Sequence, residues 1–331
     1  CIWGVATLLV AMAVPRLHER FAEVQSHRDW GNGILLLRIL RSFDDRASHD
    51  PRRFFGVVNG ISSSDSNDEK PATIRHYANH GVLGPMVARV FVLILGPSEW
   101  VARLFALSLM IASTCIFAAI VNQGLSNWWL SLPLTAAYAL TPIRVMFLTT
   151  WKYESVCELV LLVLILGLLH RRAPFGRLAT LLAGFLAFHT DWPAFIAAPA
   201  LALWAWWNGR SPETRRVARQ LALAEILGAI TAVGMNLWLG FGGHWQSILT
   251  RRMGGGLSEV SIGQIINRQL YYAVGNFTPV FIWLAIASLI CTVGFRKARR
   301  NQLAWFGLTF VAMNLLWCGV FRNHTAEHNY A

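Results

Sequence analysis

The sequence predicts an all-α fold: a polytopic bundle of transmembrane helices, with juxtamembrane interfacial helices in a long first outer loop. Three observations predict it. Hydrophobic residues make up 55% of the chain and charged residues only 14%, against about 25% charged in soluble domains. Long apolar runs recur along the 331 residues, and in lipid a helix satisfies each backbone polar group within its own segment. The runs are continuous rather than alternating at period two, which argues against a transmembrane β-barrel.

The elements follow in order. Residues 1–14 read as the remainder of a first span, and a chain that opens at Cys1 inside an apolar run reads as a fragment. Residues 15–79 are polar, with "SSSDSNDEKP" at 62–71 as a flexible loop. Within this region "GNGILLLRILRSF" at 31–43 sets apolar residues at helical spacing between arginines, the pattern of a helix lying in the interface. The run 82–96 is short and carries Arg89; it reads as a second juxtamembrane helix, with a short span as its competitor. Further spans are expected at about 99–121, 127–149, 153–170, 175–190, 192–208, 217–241, 274–294 and 303–321. The short pair 175–190 and 192–208 meets at "HTDWP", which suggests a helical hairpin with its tip near one membrane face. The whole of 1–331 is then one transmembrane domain, with an outer loop at 15–97 and about eight spans over 99–321.

The net charge of +12 would suggest nucleic acid in a soluble protein. Here the arginines cluster in short loops between apolar runs, which reads as an orientation signal and lipid-headgroup contact. Arg171, Arg172 and Arg177 lie in one loop, Arg210, Arg215, Arg216 and Arg219 in a second, and Arg296, Lys297, Arg299 and Arg300 in a third. Alternating crossings put all three on one side, the cytoplasmic side, provided that 82–96 does not cross. The other polar clusters then face outward: 15–79, Trp151 to Glu154, His189 to Asp191, 242–273 and Arg322 to Tyr330. That is the layout of a protein whose chemistry faces outward. The five cysteines show no CxxC spacing and read as small apolar residues.

The stretch His80-Gly81-Val82-Leu83, an apolar run, then Gly96-Pro97-Ser98-Glu99-Trp100 and Arg103-Leu104 resembles a boundary in the GT-C glycosyltransferases. These are the protein O-mannosyltransferase and aminoarabinose-transferase superfamily and its bacterial Rgt-like relatives. Their pattern of His-Pro-Pro-Leu followed by Gly-x-Ser-Glu-x-x-x-Arg-Leu is matched except for the proline pair. A long outer loop with an early acid in "SHRDW", and a glycine-led span ending in the polar tip of "AGFLAFHTDWPAF", are similar to the same family. The resemblance implies transfer of a sugar from a polyprenyl-phosphate donor to a lipid, glycan or protein acceptor on the outer face of a bacterial inner membrane.

By that resemblance Asp29 is the general base, which would take the proton of the acceptor hydroxyl as it attacks the anomeric carbon. Asp29 equally fits an N-cap for the 31–43 helix. Glu154 and Glu158 lie one turn apart on one helix face. They read either as an internal ion pair with Arg144 or Lys152, or as a wall of the donor pocket with Lys152 at the lipid-linked phosphate. His189 and Asp191 can form an acid–imidazole pair, or Asp191 can cap the helix ahead of Pro193. Arg251 and Arg252, beside Gly254 to Gly256, can clasp a phosphate or act as a mobile surface loop. His80 and His328 are expected near the donor by resemblance. Glu99 and Arg103, at i and i+4, read as a structural pair. No nucleotide-binding glycine loop and no HExxH spacing occurs, and neither a cofactor nor a metal is expected. The rival function is a transporter or flippase of a lipid-linked or small anionic substrate, with Glu158, Glu225 and Arg144 along its pathway. A non-catalytic membrane scaffold is a third.

Overall fold

Proline, glycine and capping side chains set the ends of helices that are apolar almost throughout. In this computed structural model the described residues are 2–17, 36, 38–40, 43, 52, 57–62, 73–77, 81–125, 127–141, 144–145, 147–151, 153–191, 193–207, 209 and 211–239. They form helices α1 (Ile2–Leu17), α2 (Leu83–Leu95), α3 (Glu99–Leu125), α4 (Trp128–Ala139), α5 (Tyr153–Leu169), α6 (Pro174–Ala187), α7 (Ala194–Trp207) and α8 (Pro212–Trp238). Two strands, β1 (Val57–Ser62) and β2 (Thr73–Tyr77), pair antiparallel between α1 and α2, with an irregularity between Val58 and Gly60. The pairing corrects the all-α expectation for the outer loop. Valine, isoleucine, threonine and tyrosine favour a pleated strand, but the polar stretch between the two runs masked that preference in the sequence.

Local chemistry accounts for the boundaries. The Asn127 side chain accepts a hydrogen bond from the Trp129 amide at 3.0 Å and opens α4. The Ser211 hydroxyl accepts from the Thr214 amide at 3.2 Å, and Pro212 follows in the first turn, where its missing N–H costs nothing. Gly96 ends α2 at φ +90°, a conformation that favours glycine.

Two helices, Glu99–Leu125 and Pro212–Trp238, are long and apolar enough to cross a membrane. The other helices are shorter. The expected spans 153–170, 175–190 and 192–208 are helices of 17, 14 and 14 residues. α2 has 13 residues, roughly 20 Å at 1.5 Å per residue, too short for a hydrocarbon core of about 30 Å. It buries Gly84, Pro85, Ala88, Arg89 and Val92 and exposes Leu93, Ile94 and Leu95. The Arg89 guanidinium lies 5.2 Å from the centre of the Phe43 ring. The expected spans 274–294 and 303–321 lie outside the described residues.

The expected span 127–149 is broken. α4 ends at Ala139, and Thr141, which precedes Pro142, is outside any helix. A residue before proline is pushed away from helical geometry by the proline ring. The irregular stretch is buried at Thr141, Arg144 and Leu148 to Trp151. Local bonds run from the Val145 amide to Thr141, from Leu148 to Val145 and from Thr150 to Phe147, and long-range bonds hold Arg144. Arg144 Nη1 reaches Glu158 Oε1 at 2.5 Å and the Tyr138 hydroxyl at 2.8 Å, and Nη2 reaches the Met110 carbonyl at 3.3 Å. Its guanidinium also covers the Tyr138 ring at 4.0 Å, and Tyr138 stacks on Phe117 at 3.9 Å. Arg16 donates to the Val145 carbonyl at 3.0 Å, so α1 ends beside the break. Of the two roles open to Glu158, the internal ion pair is the one observed.

The core has three parts. One joins α5, α6, α7 and α8, a second joins α2 and α3 to the start of α5 with Leu36 and Ile39, and a third joins α1, α3 and α4. α6 and α8 run side by side in the same direction, because Arg177 meets Gln220 at one end and His189 meets Thr231 at the other. A Cβ at Gly228 would strike the Phe185 carbonyl, so the two backbones approach closely only because that residue is glycine.

The Arg144–Glu158 pair generates a measurable expectation. Glu158→Leu leaves a buried guanidinium without its counter-charge and lowers the thermal midpoint in detergent. Adding Arg144→Met recovers much of the loss, with a coupling energy of about 1–3 kcal/mol in the double-mutant cycle. Additive losses would mean that the two side chains are not energetically coupled.

Candidate functional site

The turn that joins α6 to α7 carries His189, Thr190 and Asp191, all at least nine-tenths buried. It is wound by local bonds: the His189 amide donates to Leu186, the Thr190 amide to Ala187 and the Ala194 amide to the Asp191 carbonyl. Winding in this direction turns the His189 and Thr190 carbonyls away from the helix, where they need donors.

The donors come from a distant part of the chain. The Gly81 amide donates to the Thr190 carbonyl at 3.0 Å and the Leu83 amide to the His189 carbonyl at 2.8 Å. The contact is so close that a Cβ at Gly81 would overlap the His189 carbonyl. The glycine that replaces the first proline of the resembling motif is therefore the residue this docking requires. It also carries the chain next to His80 onto the turn. His80 itself lies outside the described residues.

The start of α5 closes the same corner. Trp151 is buried against Gly84 and Phe105. The buried Cys157 lies beside Thr190, whose hydroxyl donates to the Ala187 carbonyl at 2.6 Å, and the carboxylates of Asp191 and Glu154 are within electrostatic reach of the thiol. Glu154 is half-buried. The structure thus gathers Glu154, His189 and Asp191 at one junction, together with Cys157, Thr190 and Gly81.

His189 is held from a fourth side. Its Nε2 is 2.9 Å from the Thr231 hydroxyl of α8. That hydroxyl also lies 2.8 Å from the Leu227 carbonyl and 3.1 Å from the Gly228 carbonyl, so it joins the imidazole to the backbone of α8. Of the two readings of the tip, the bond that orients His189 goes to α8, and the Asp191 carbonyl receives the Ala194 amide at the start of α7.

Asp29, Lys152, Arg251, Arg252 and His328 lie outside the described residues, as do Arg210 and the 296–300 loop. Among the described residues no group of three or more His, Cys, Asp or Glu side chains is placed to hold a metal ion. The sequence reading missed Thr231, Cys157 and Gly81 as partners of the tip. Only Gly81 carried a signal, as the departure from the proline pair. A threonine and a cysteine inside apolar runs carry none. Glu225, buried in the middle of α8, has an Oε1 atom with no hydrogen-bond partner among the described residues.

No family model, curated protein or solved structure matches this chain.

Thr231→Val removes the hydroxyl bonded to His189 and is expected to lower stability by about 1 kcal/mol. Thr231→Ser restores it. Thermal midpoints of the three proteins measured together check the assignment; equal midpoints for valine and threonine would refute it.

Proposed function

We propose that this chain is an integral membrane glycosyltransferase of the GT-C kind. It transfers a sugar from a polyprenyl-phosphate donor to a lipid, glycan or protein hydroxyl on the extracytoplasmic face of a bacterial inner membrane. The observation that carries the reading is the junction of Gly81, the first turns of α5 and the His189 to Asp191 turn. It lies at the opposite end of α6 from the arginine loops. Two helices long and apolar enough to cross a membrane support the setting.

In this reading the carboxylate of Asp29 takes the proton of the acceptor hydroxyl. The acceptor oxygen forms its bond to the anomeric carbon from the face opposite the phosphate. The carbon–oxygen bond to the phosphate breaks, and its electron pair leaves with the polyprenyl phosphate. Configuration inverts. Lys152, Arg251 and Arg252 stabilise the charge that develops on the leaving phosphate. His80, Glu154, His189, Asp191 and His328 frame the donor.

The test supplies the protein in vesicles with a panel of polyprenyl-phosphate sugars and follows sugar loss from the carrier by mass spectrometry. Asp29→Asn is expected to slow transfer by about 10²–10⁴-fold, the usual contribution of a general base. Transfer untouched by that substitution keeps the reaction and moves the base to Glu154 or Asp191. A folded protein that consumes no donor with a crude membrane acceptor pool rules the transferase out.

Glu225 favours a second reading, a transporter or flippase of a lipid-linked or small anionic substrate. An ionisable group deep in a span usually marks a pathway or a partner, and this one has no hydrogen-bond partner among the described residues for Oε1. Glu225→Gln is expected to leave sugar transfer within twofold of the parent. Loss of substrate movement across vesicles in that variant, with no sugar transfer by the parent, favours transport.

A further inference from the structure

The end of the bundle opposite the junction gathers arginines that have no carboxylate partner among the described residues. The loop between α5 and α6 carries Arg171 and Arg172, and Arg177 follows in the first turn of α6. The first turns of α8 carry Arg215, Arg216 and Arg219. The two groups share one surface, because Arg171 Nε reaches the Thr214 hydroxyl at 3.5 Å and Arg177 is bound to the Gln220 amide oxygen at 3.0 Å from Nε. None of these six arginines forms an ion pair with a carboxylate among the described residues, and Glu213 is the acid that accompanies them there. Burial, and then the neighbouring Arg172, hold the Arg171 guanidinium below the usual arginine range.

Two features give the surface a direction. Arg171 and Arg177 are held by neutral partners, and Arg215 Nε by the Gly209 carbonyl at 3.0 Å, so their positions are set before any ligand arrives. Arg172, Arg216 and Arg219 are exposed without such bonds. Phe175 is 82% exposed and Trp207, on the last turn of α7 beside Gly209, is 83% exposed. Aromatic rings thrust outward beside arginines suit a surface that meets acyl chains and charged headgroups together.

We propose that this end, formed by the α5–α6 loop and the start of α8, is a docking surface for anionic phospholipid headgroups. The guanidinium groups bind the lipid phosphates, while Phe175 and Trp207 enter the acyl boundary. The proposal rests on the membrane setting of the reading above but not on sugar transfer.

The test uses the whole protein in zwitterionic detergent, to which phosphatidylglycerol or phosphatidylcholine is added, with retained lipid counted by native mass spectrometry. Phosphatidylglycerol is expected to be retained selectively and to be released as salt is raised. An exposed arginine near a membrane contributes about fivefold to anionic-lipid affinity, so Arg172→Gln with Arg216→Gln should weaken retention by about 30-fold. These two side chains make no hydrogen bond among the described residues, and the double variant should keep its thermal midpoint in phosphatidylcholine. Equal retention of both lipids, or no change in the double variant, overturns the proposal. Pyrophosphate that displaces the lipid at equal concentration also overturns it, in favour of a soluble phosphate site. Selective retention by a protein that transfers no sugar sustains the docking surface and removes the glycosyltransferase reading. A chain that does not enter membranes removes both.

Discussion

Where a helix ends inside an apolar bundle, its last carbonyls need donors that neither water nor lipid supplies. That constraint organises this molecule. The turn after α6 presents the His189 and Thr190 carbonyls, and the amides of Gly81 and Leu83 satisfy both. Residues far apart in sequence thereby become neighbours, and α2 is set across the starts of α5 and α7. The exchange is backbone to backbone, so it depends on close approach more than on any functional side chain. Glycine at position 81 permits that approach.

The break after α4 poses the same problem and has a different solution. Thr141 precedes a proline and is buried, as are Arg144 and Leu148 to Trp151. Local turns bond part of this backbone, and arginine side chains add long-range bonds: Arg16 reaches Val145, and Arg144 reaches Met110 while it pairs with Glu158 and Tyr138. The buried Arg144 guanidinium is paired with the half-buried Glu158 carboxylate, because a buried charge without a partner is costly. The pair also joins α3, α4 and α5, which fixes where α5 begins and hence where Glu154 and Cys157 stand.

The two ends of the bundle consequently differ in kind. At one end, polar side chains from several elements turn inward upon each other, with His189 held by Thr231 and Cys157 beside Thr190. At the other, arginines on the α5–α6 loop and on the first turns of α6 and α8 have neutral partners or, among the described residues, none. Inward convergence suits binding and chemistry on a small group. Outward projection suits an extended charged surface. A single direction of α6 and α8 ties these ends to opposite faces, so one helix pair separates the two tasks.

Much of this was legible from the chain alone. The apolar runs read as helical at 82–96, 99–121 and 217–241 are met by α2, α3 and α8, whose bounds differ by a few residues at the ends. Pro212 after Ser211 marks a start, and the polar tip between two short runs marks the hairpin of α6 and α7. The strand pair was not legible, since its two short β-branched runs gain their meaning only from each other. Nor was the break at Thr141, where one proline competes with an apolar pattern that continues past it. The sequence by itself determined which segments are helical, which loops are basic and that Glu154, His189 and Asp191 are polar groups set against apolar runs. Only the tertiary structure decided that His189 and Thr190 meet Gly81, that Glu158 pairs with Arg144, and that Thr231 holds His189. Composition and periodicity act within one segment, whereas partners are chosen by close approach between segments, and a one-dimensional pattern carries no distance across the bundle.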